Sequence, residues 1–188
     1  MASAEPAADR RLDRAVAVTV VVLSSFMAVS KVKDDNIVQA MQQAKADAVD
    51  TWSEYQAAKL KQHQAEGSVR QATLFRAAMA AEQRPLADQV IADEQARIAK
   101  YADAAKQLEA KARGFEQRYD ALNLHDDQFD LSDALLSVAM AVVGMSALVE
   151  LWSLLAVGWA FGALGIAMGV AGFVGGAFHL DWAARLLG

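Results

Sequence analysis

The residues most open to chemistry in this 188-residue sequence are two groups of carboxylates beside apolar runs. Asp34 and Asp35 follow the first run, and Asp126, Asp127 and Asp130 precede the second. If the chain between them doubles back, all five meet at one membrane surface. Repeated around an oligomer, they form an acidic ring of the kind that concentrates cations at a pore mouth. The local reading is capping and solvation, because Asp near a helix start accepts from free backbone N–H groups and suits the positive end of the helix dipole. Enzyme chemistry finds no support. His63, His125 and His179 lie far apart, and no H-E-x-x-H motif, phosphate loop or nucleophile elbow occurs. The chain has no cysteine, which removes disulfides and thiolate sites. The expectation is a non-enzymatic protein with no cofactor and no metal site.

These carboxylates are positioned by the elements that flank them. Ala15 to Ser30 is uncharged over 16 residues, with Arg10, Arg11 and Arg14 before it and Lys31 and Lys33 after it. At about 1.5 Å per residue, such a helix crosses a bilayer core only if its cationic ends snorkel. A transmembrane helix over 15–33 is expected, after a polar tail over 1–14. The rival is a cleaved signal peptide, since the Arg-rich start and the small residues Ala28 and Ser30 fit that pattern. The stretch 131–178 is apolar over 48 residues apart from Asp133 and Glu150, too long for one span. A turn is placed at Glu150 to Ser153, because a carboxylate costs at least about 2.5 kcal/mol in lipid and little at the interface. Spans are therefore expected over 131–149 and 154–177, with a short amphipathic tail over 178–188 lying on the surface.

In the last span Gly158, Gly162, Gly165, Gly169, Gly172 and Gly176 recur at alternating steps of four and three, so they share one helix face. Such a face lets another backbone come close where lipid provides no hydrophobic drive. Two occupants fit it: the second span, whose Ala139, Gly144 and Ser146 are also small, or the same span of a neighbouring copy.

Residues 34–130 are polar with helical periodicity and break once, at Arg84-Pro85. Two helices follow, over about 35–82 and 85–122. In the second, Ile98, Tyr101, Ala105, Leu108, Ala112, Phe115, Tyr119 and Leu122 form a heptad seam. In the first, the seam holds through Met41, Ala48, Trp52 and Tyr55, then meets Lys59, Gln62 and Glu66, so its far half should be looser or bind something else. The expected fold is an all-α integral membrane protein: three transmembrane helices with a long antiparallel coiled-coil hairpin between the first and second. Lys31 to Asp130 holds 14 Lys plus Arg against 17 Asp plus Glu, with signs interspersed, which excludes a nucleic-acid surface.

The stretch DDNIVQA from Asp34, the arrangement D-x-W-x-x-Y-Q-A-x-K-x-K-Q over Asp50 to Gln62, Phe129-Asp130-Leu131 ahead of Asp133-Ala134-Leu135-Leu136, and the glycine-bearing last span resemble a family of bacterial membrane proteins, domain of unknown function 4337. The resemblance covers nearly the whole chain and implies the topology above, but no activity. That family commonly has a basic turn between its last two spans, where this chain has Glu150. Two functions are open. One is a structural or accessory membrane subunit, contacting lipid and a protein partner through its glycine face and hairpin, in a homo-oligomer or a larger complex. The other is a small homo-oligomeric cation channel. The cationic flanks place the N-terminus inside a bacterial inner membrane and the hairpin on the extracytoplasmic side.

Overall fold

The computed structural model describes residues 10–174; Gly176 and the two terminal tails lie outside them. Among the described residues there are three α-helices and no strand: α1 (Arg10–Ala78), a 3-10 turn (Ala81–Gln83), α2 (Arg84–Leu148) and α3 (Trp152–Val174). Each helical segment contains a stretch long and apolar enough to cross a membrane, with mean hydropathy 2.0, 1.8 and 2.0 in chain order.

α1 and α2 are longer than expected from the sequence. The apolar run after Ala15 and the polar arm after Asp34 are one helix, as are the second arm and the run after Leu131. The physical reason is that neither KVKDDN at 31–36 nor HDDQFD at 125–130 contains a helix breaker. Charge ends an apolar stretch without ending a helix. α1 stops at Ala78, four residues before the expected end. Ala80 is extended, and Pro85 stands second in α2, where its missing N–H costs no hydrogen bond.

The chain forms two compact units: residues up to Met41 with those from Asp120 onward, and Gln42–Tyr119. Within the second, α1 and α2 run antiparallel, since Lys45 lies over the Tyr119 ring, Trp52 Nε1 donates to Glu116 Oε1 at 2.8 Å, Lys61 lies over Tyr101, and Arg76 grips Asp88. The seam side chains of α2 in this unit, from Ile98 to Tyr119, are buried or half-buried. On α1, Ala44, Ala48, Thr51, Ala58 and Ala65 are buried. Alanines thus continue the contact through the half expected to be looser or to bind something else. Lys59, Gln62 and Glu66 flank them in a relay, Lys59 Nζ donating to Gln62 Oε1 at 3.0 Å and Gln62 Nε2 to Glu66 Oε1 at 2.9 Å.

Within the first unit, α3 lies against both other helices. Its glycines meet α2 in descending order: Gly158 against Val143, Gly162 against Ala139, Gly165 against Leu136, Gly169 against Ser132 and Gly172 against Phe129. Both series step by four and three, so α3 and α2 are antiparallel in register. α1 fills the adjoining side through Leu23 at Gly162 and Phe26 at Gly169. Leu12, Val143 and Leu155 form one buried cluster, and Leu23, Leu136 and Ala139 another. Polar clamps reinforce the contacts. Ser132 Oγ donates to the Gly165 carbonyl at 2.7 Å, and Trp159 Nε1 donates to Thr19 Oγ1 at 2.9 Å.

α2 and α3 are joined at Glu150, whose φ of 54° lies in the left-handed region. The Leu151 N–H reaches back to the Ser146 carbonyl at 3.2 Å, which closes α2 in a Schellman-type cap. Glycine is the usual occupant of that position, and a glutamate there costs about 1 kcal/mol.

A Cβ added at Gly158 would sit 2.5 Å from Val143 Cγ2 and 3.3 Å from the Ala139 carbonyl oxygen, whereas one added at Gly144 would meet nothing within 4 Å. Gly158→Ala is therefore expected to destabilise the first unit by about 1–3 kcal/mol. Gly144→Ala should be neutral or gain up to about 1 kcal/mol from helix propensity. Thermal unfolding of the purified proteins in one detergent checks this, and equal midpoints for the two variants would contradict the packing.

Candidate functional site

The acidic group belongs to the first unit, where the apolar part of α1 ends beside the start of the apolar part of α2. Asp34 is buried, 5% exposed, although it is a carboxylate. Its Oδ2 accepts from Lys31 Nζ at 2.8 Å, one helical turn back. Lys31 also reaches Asp35 Oδ1 at 3.5 Å, and Asp35 is exposed. The five carboxylates singled out by sequence therefore differ in role. Asp34 points into the protein and Asp35 toward solvent, while Asp126 and Asp127 are half-buried.

Across from Asp34 on α2, the Asp126 carboxyl is pushed up to about 6, first by burial and then by the charges of Asp130 and Asp34. Asp130 is raised for similar reasons in the same order, partial desolvation first and then Asp34. Nearby, Asn123 Nδ2 approaches Asp127 Oδ2 at 3.5 Å, and His125 Nδ1 lies 3.3 Å from Gln128 Oε1. The charge of Asp34 thus acts on both Asp126 and Asp130. Among the described residues, no set of three or more His, Asp or Glu side chains is placed to hold a metal ion.

Ser30 completes the site and was not singled out by sequence. It is 6% exposed, and its hydroxyl has no hydrogen-bond partner; the same is true of Asp34 Oδ1. Ser30, Asp34, Phe129 and Ser132 line a cavity of about 10 Å³, about the room of a single water. The available signal was the spacing of Ser30 and Asp34, four residues apart and so on one helix face, at the end of an otherwise apolar run.

Two apolar grooves lie elsewhere. One, of about 290 Å³, runs between α1 and α3 beside Val18, Val22, Trp159 and Ala163. The other, of about 210 Å³, lies in the second unit at the turn between α1 and α2, lined by Ala72, Phe75, Met79, Leu86, Ala87 and Val90. Around it Leu74, Phe75 and Leu86 are 74%, 58% and 66% exposed.

Lys31→Met keeps an apolar stem but removes the ammonium from a buried carboxylate. It is expected to cost about 1–3 kcal/mol, whereas Asp35→Asn on the exposed side should change stability by less than about 0.5 kcal/mol. Chemical denaturation of the two variants reads the difference; equal losses would mean that Asp34 does not depend on Lys31.

A family model described as "Domain of unknown function (DUF4337)" matches residues 12–175. No curated protein and no solved structure matches the chain.

Proposed function

The chain belongs to the DUF4337 family, and on that premise we propose that it is a non-enzymatic structural or accessory subunit of a bacterial inner membrane, anchored by three transmembrane helices and engaging a protein partner through a coiled-coil hairpin. The observation that carries this reading is the difference in character between a surface of the first unit and one of the second. The glycine face is occupied by α2 and α1 of the same chain. The polar second unit instead leaves Leu74, Phe75 and Leu86 exposed around a groove. Clustered apolar side chains on a water-facing surface mark protein contact sites. In this reading the glycine face assembles the anchor, and the end of the hairpin recruits the partner, either a second copy or a member of a larger complex.

Retention of the first span fits its packing, because Leu12, Leu23 and Phe26 are built into the contacts with α2 and α3. The cationic residues ahead of Ala15 favour an N-terminus inside and the hairpin outside. The rival function, a homo-oligomeric cation channel with an acidic ring, draws on the carboxylates at the membrane surface. Against it, Asp34 is buried and paired with Lys31, and the exposed large side chains of the spans include Val18, Val21, Val29, Val157, Leu164 and Val170, which suit lipid.

Gentle extraction from the native membrane, followed by the mass of the intact particle and identification of its chains, tests the proposal. A fixed assembly that is lost in a Leu74→Ser/Phe75→Ser variant, with the unfolding temperature unchanged, is the expected result. An assembly untouched by that variant would refute the hairpin as the docking element. A closed ring of this chain alone, passing cations until Asp34, Asp35, Asp126 and Asp127 are neutralised, would establish the channel instead.

A further inference from the structure

Where α1 leaves its apolar run, a small polar cavity lies between α1 and α2. Ser30, Lys31 and Asp34 line it from α1, and Phe129, Ser132 and Leu136 from α2. Two of these side chains are more than nine-tenths buried and hold a polar atom with no partner: Ser30, 6% exposed, at Oγ, and Asp34, 5% exposed, at Oδ1. Lys31 serves only the other carboxylate oxygen, Oδ2, at 2.8 Å. Ser132 is fully buried and gives its hydrogen to the Gly165 carbonyl of α3 at 2.7 Å, so its oxygen offers lone pairs alone. The cavity wall thus presents one free O–H, from Ser30, and two acceptors, Asp34 Oδ1 and Ser132 Oγ.

We propose that this cavity is a binding site for one water molecule, which accepts from Ser30, donates to Asp34 Oδ1 and Ser132 Oγ, and so joins α1 to α2 and, through the bond from Ser132 to Gly165, to α3.

Size and hydrogen-bonding capacity fix the occupant. A volume of about 10 Å³ admits one water and nothing larger. A buried water makes about three hydrogen bonds, which is the number on offer. Its two hydrogens match the two acceptors, and a lone pair takes the one donor. A metal ion does not fit, because two hydroxyls and one carboxylate oxygen fall short of the shell a hard cation takes, and the Lys31 ammonium lines the same cavity. Lys31 and the water then share Asp34, one on each oxygen, which leaves the buried carboxylate both compensated and fully bonded. Filling the cavity with carbon instead would strand Asp34 Oδ1. The site lies wholly in the first unit and does not depend on the partner proposed for the hairpin.

The test is X-ray radiolytic labelling of the full-length protein in lipid nanodiscs, read by mass spectrometry. Radiolysis converts a bound water in place to hydroxyl radical, which marks the side chains around it. Leu136 and Leu155 are the same residue type and both 0% exposed, but only Leu136 lines the cavity. The expected result is labelling of Leu136 and of Phe129, 2% exposed, with Leu155 unlabelled. Ser30→Val, which places a methyl group in the cavity, should abolish labelling at both positions, and Ser25→Val at an exposed position should leave it. If Ser30→Val does not fold, the contrast between Leu136 and Leu155 in the wild type still decides. Equal labelling of Leu136 and Leu155 in the wild type, or labelling of Phe129 and Leu136 retained in folded Ser30→Val, would overturn the proposal. So would an unfolding temperature that rises when sodium replaces choline in the wild type but not in Ser30→Val, which would assign the cavity to a cation.

Discussion

The packing of the first unit depends on how closely α3 approaches its neighbours. For helices long and apolar enough to cross a membrane, as these are, hiding apolar side chains from equally apolar lipid tails would gain nothing, and association then rests on van der Waals contact and a few hydrogen bonds. Removing the Cβ at every third and fourth position lets Val143, Leu136 and Phe129 of α2 and Leu23 and Phe26 of α1 sit against the α3 backbone. The Ser132 hydroxyl can then reach the Gly165 carbonyl at 2.7 Å, a bond to backbone that a bulkier face would hold apart. Register follows from the same geometry, since one series of steps of four and three fits another only in a limited set of alignments.

That register has an electrostatic consequence. Because α2 crosses α3 at Ser132 and Phe129, and Phe26 of α1 meets the same turn of α3, Ser30 and Asp34 are carried under Phe129 and away from water. A buried carboxylate is tolerated only with a partner, which Lys31 supplies from the preceding turn. Apolar packing and the buried Asp34 are thus two results of one helix alignment. The second unit is built differently. Small buried alanines bring its two helices together, while bonds such as Trp52 to Glu116 fix which residues face each other.

Much of this was legible in the sequence. The spacing of Gly158 to Gly172 announces a close-packed face, the seam from Ile98 marks the inner side of the second arm, and Arg84-Pro85 marks the turn. The occupant of the glycine face was not legible, because a face of small residues accepts any helix of suitable shape and spacing alone cannot distinguish a neighbour in the chain from a neighbouring copy. The continuity of α1 and α2 was missed because a change from apolar to charged residues resembles a boundary, although Lys, Asp and Gln are compatible with a helix. In the far half of the first arm, Lys59, Gln62 and Glu66 in register suggest a looser contact or a binding surface, while the alanines carrying the contact, Ala58 and Ala65, give too weak a hydrophobic signal. The burial of Asp34 and Ser30 was not legible for a related reason: a carboxylate beside lysines reads as surface, and burial depends on where Phe129 lands.

The claim on which the account rests is that the glycine face closes within one chain. The chain has no cysteine of its own, so a pair introduced as Ala139→Cys and Gly162→Cys can be read without background. The Ala139 Cβ lies 3.8 Å from the position of a Cβ on Gly162, which is the separation of a relaxed disulfide. Mild oxidation of the double variant in dilute proteoliposomes should give an intrachain bridge at monomer mass in nearly every molecule. Bridges found only between chains, with each single variant dimerising as readily as the double, would contradict the account and assign the glycine face to a neighbouring copy.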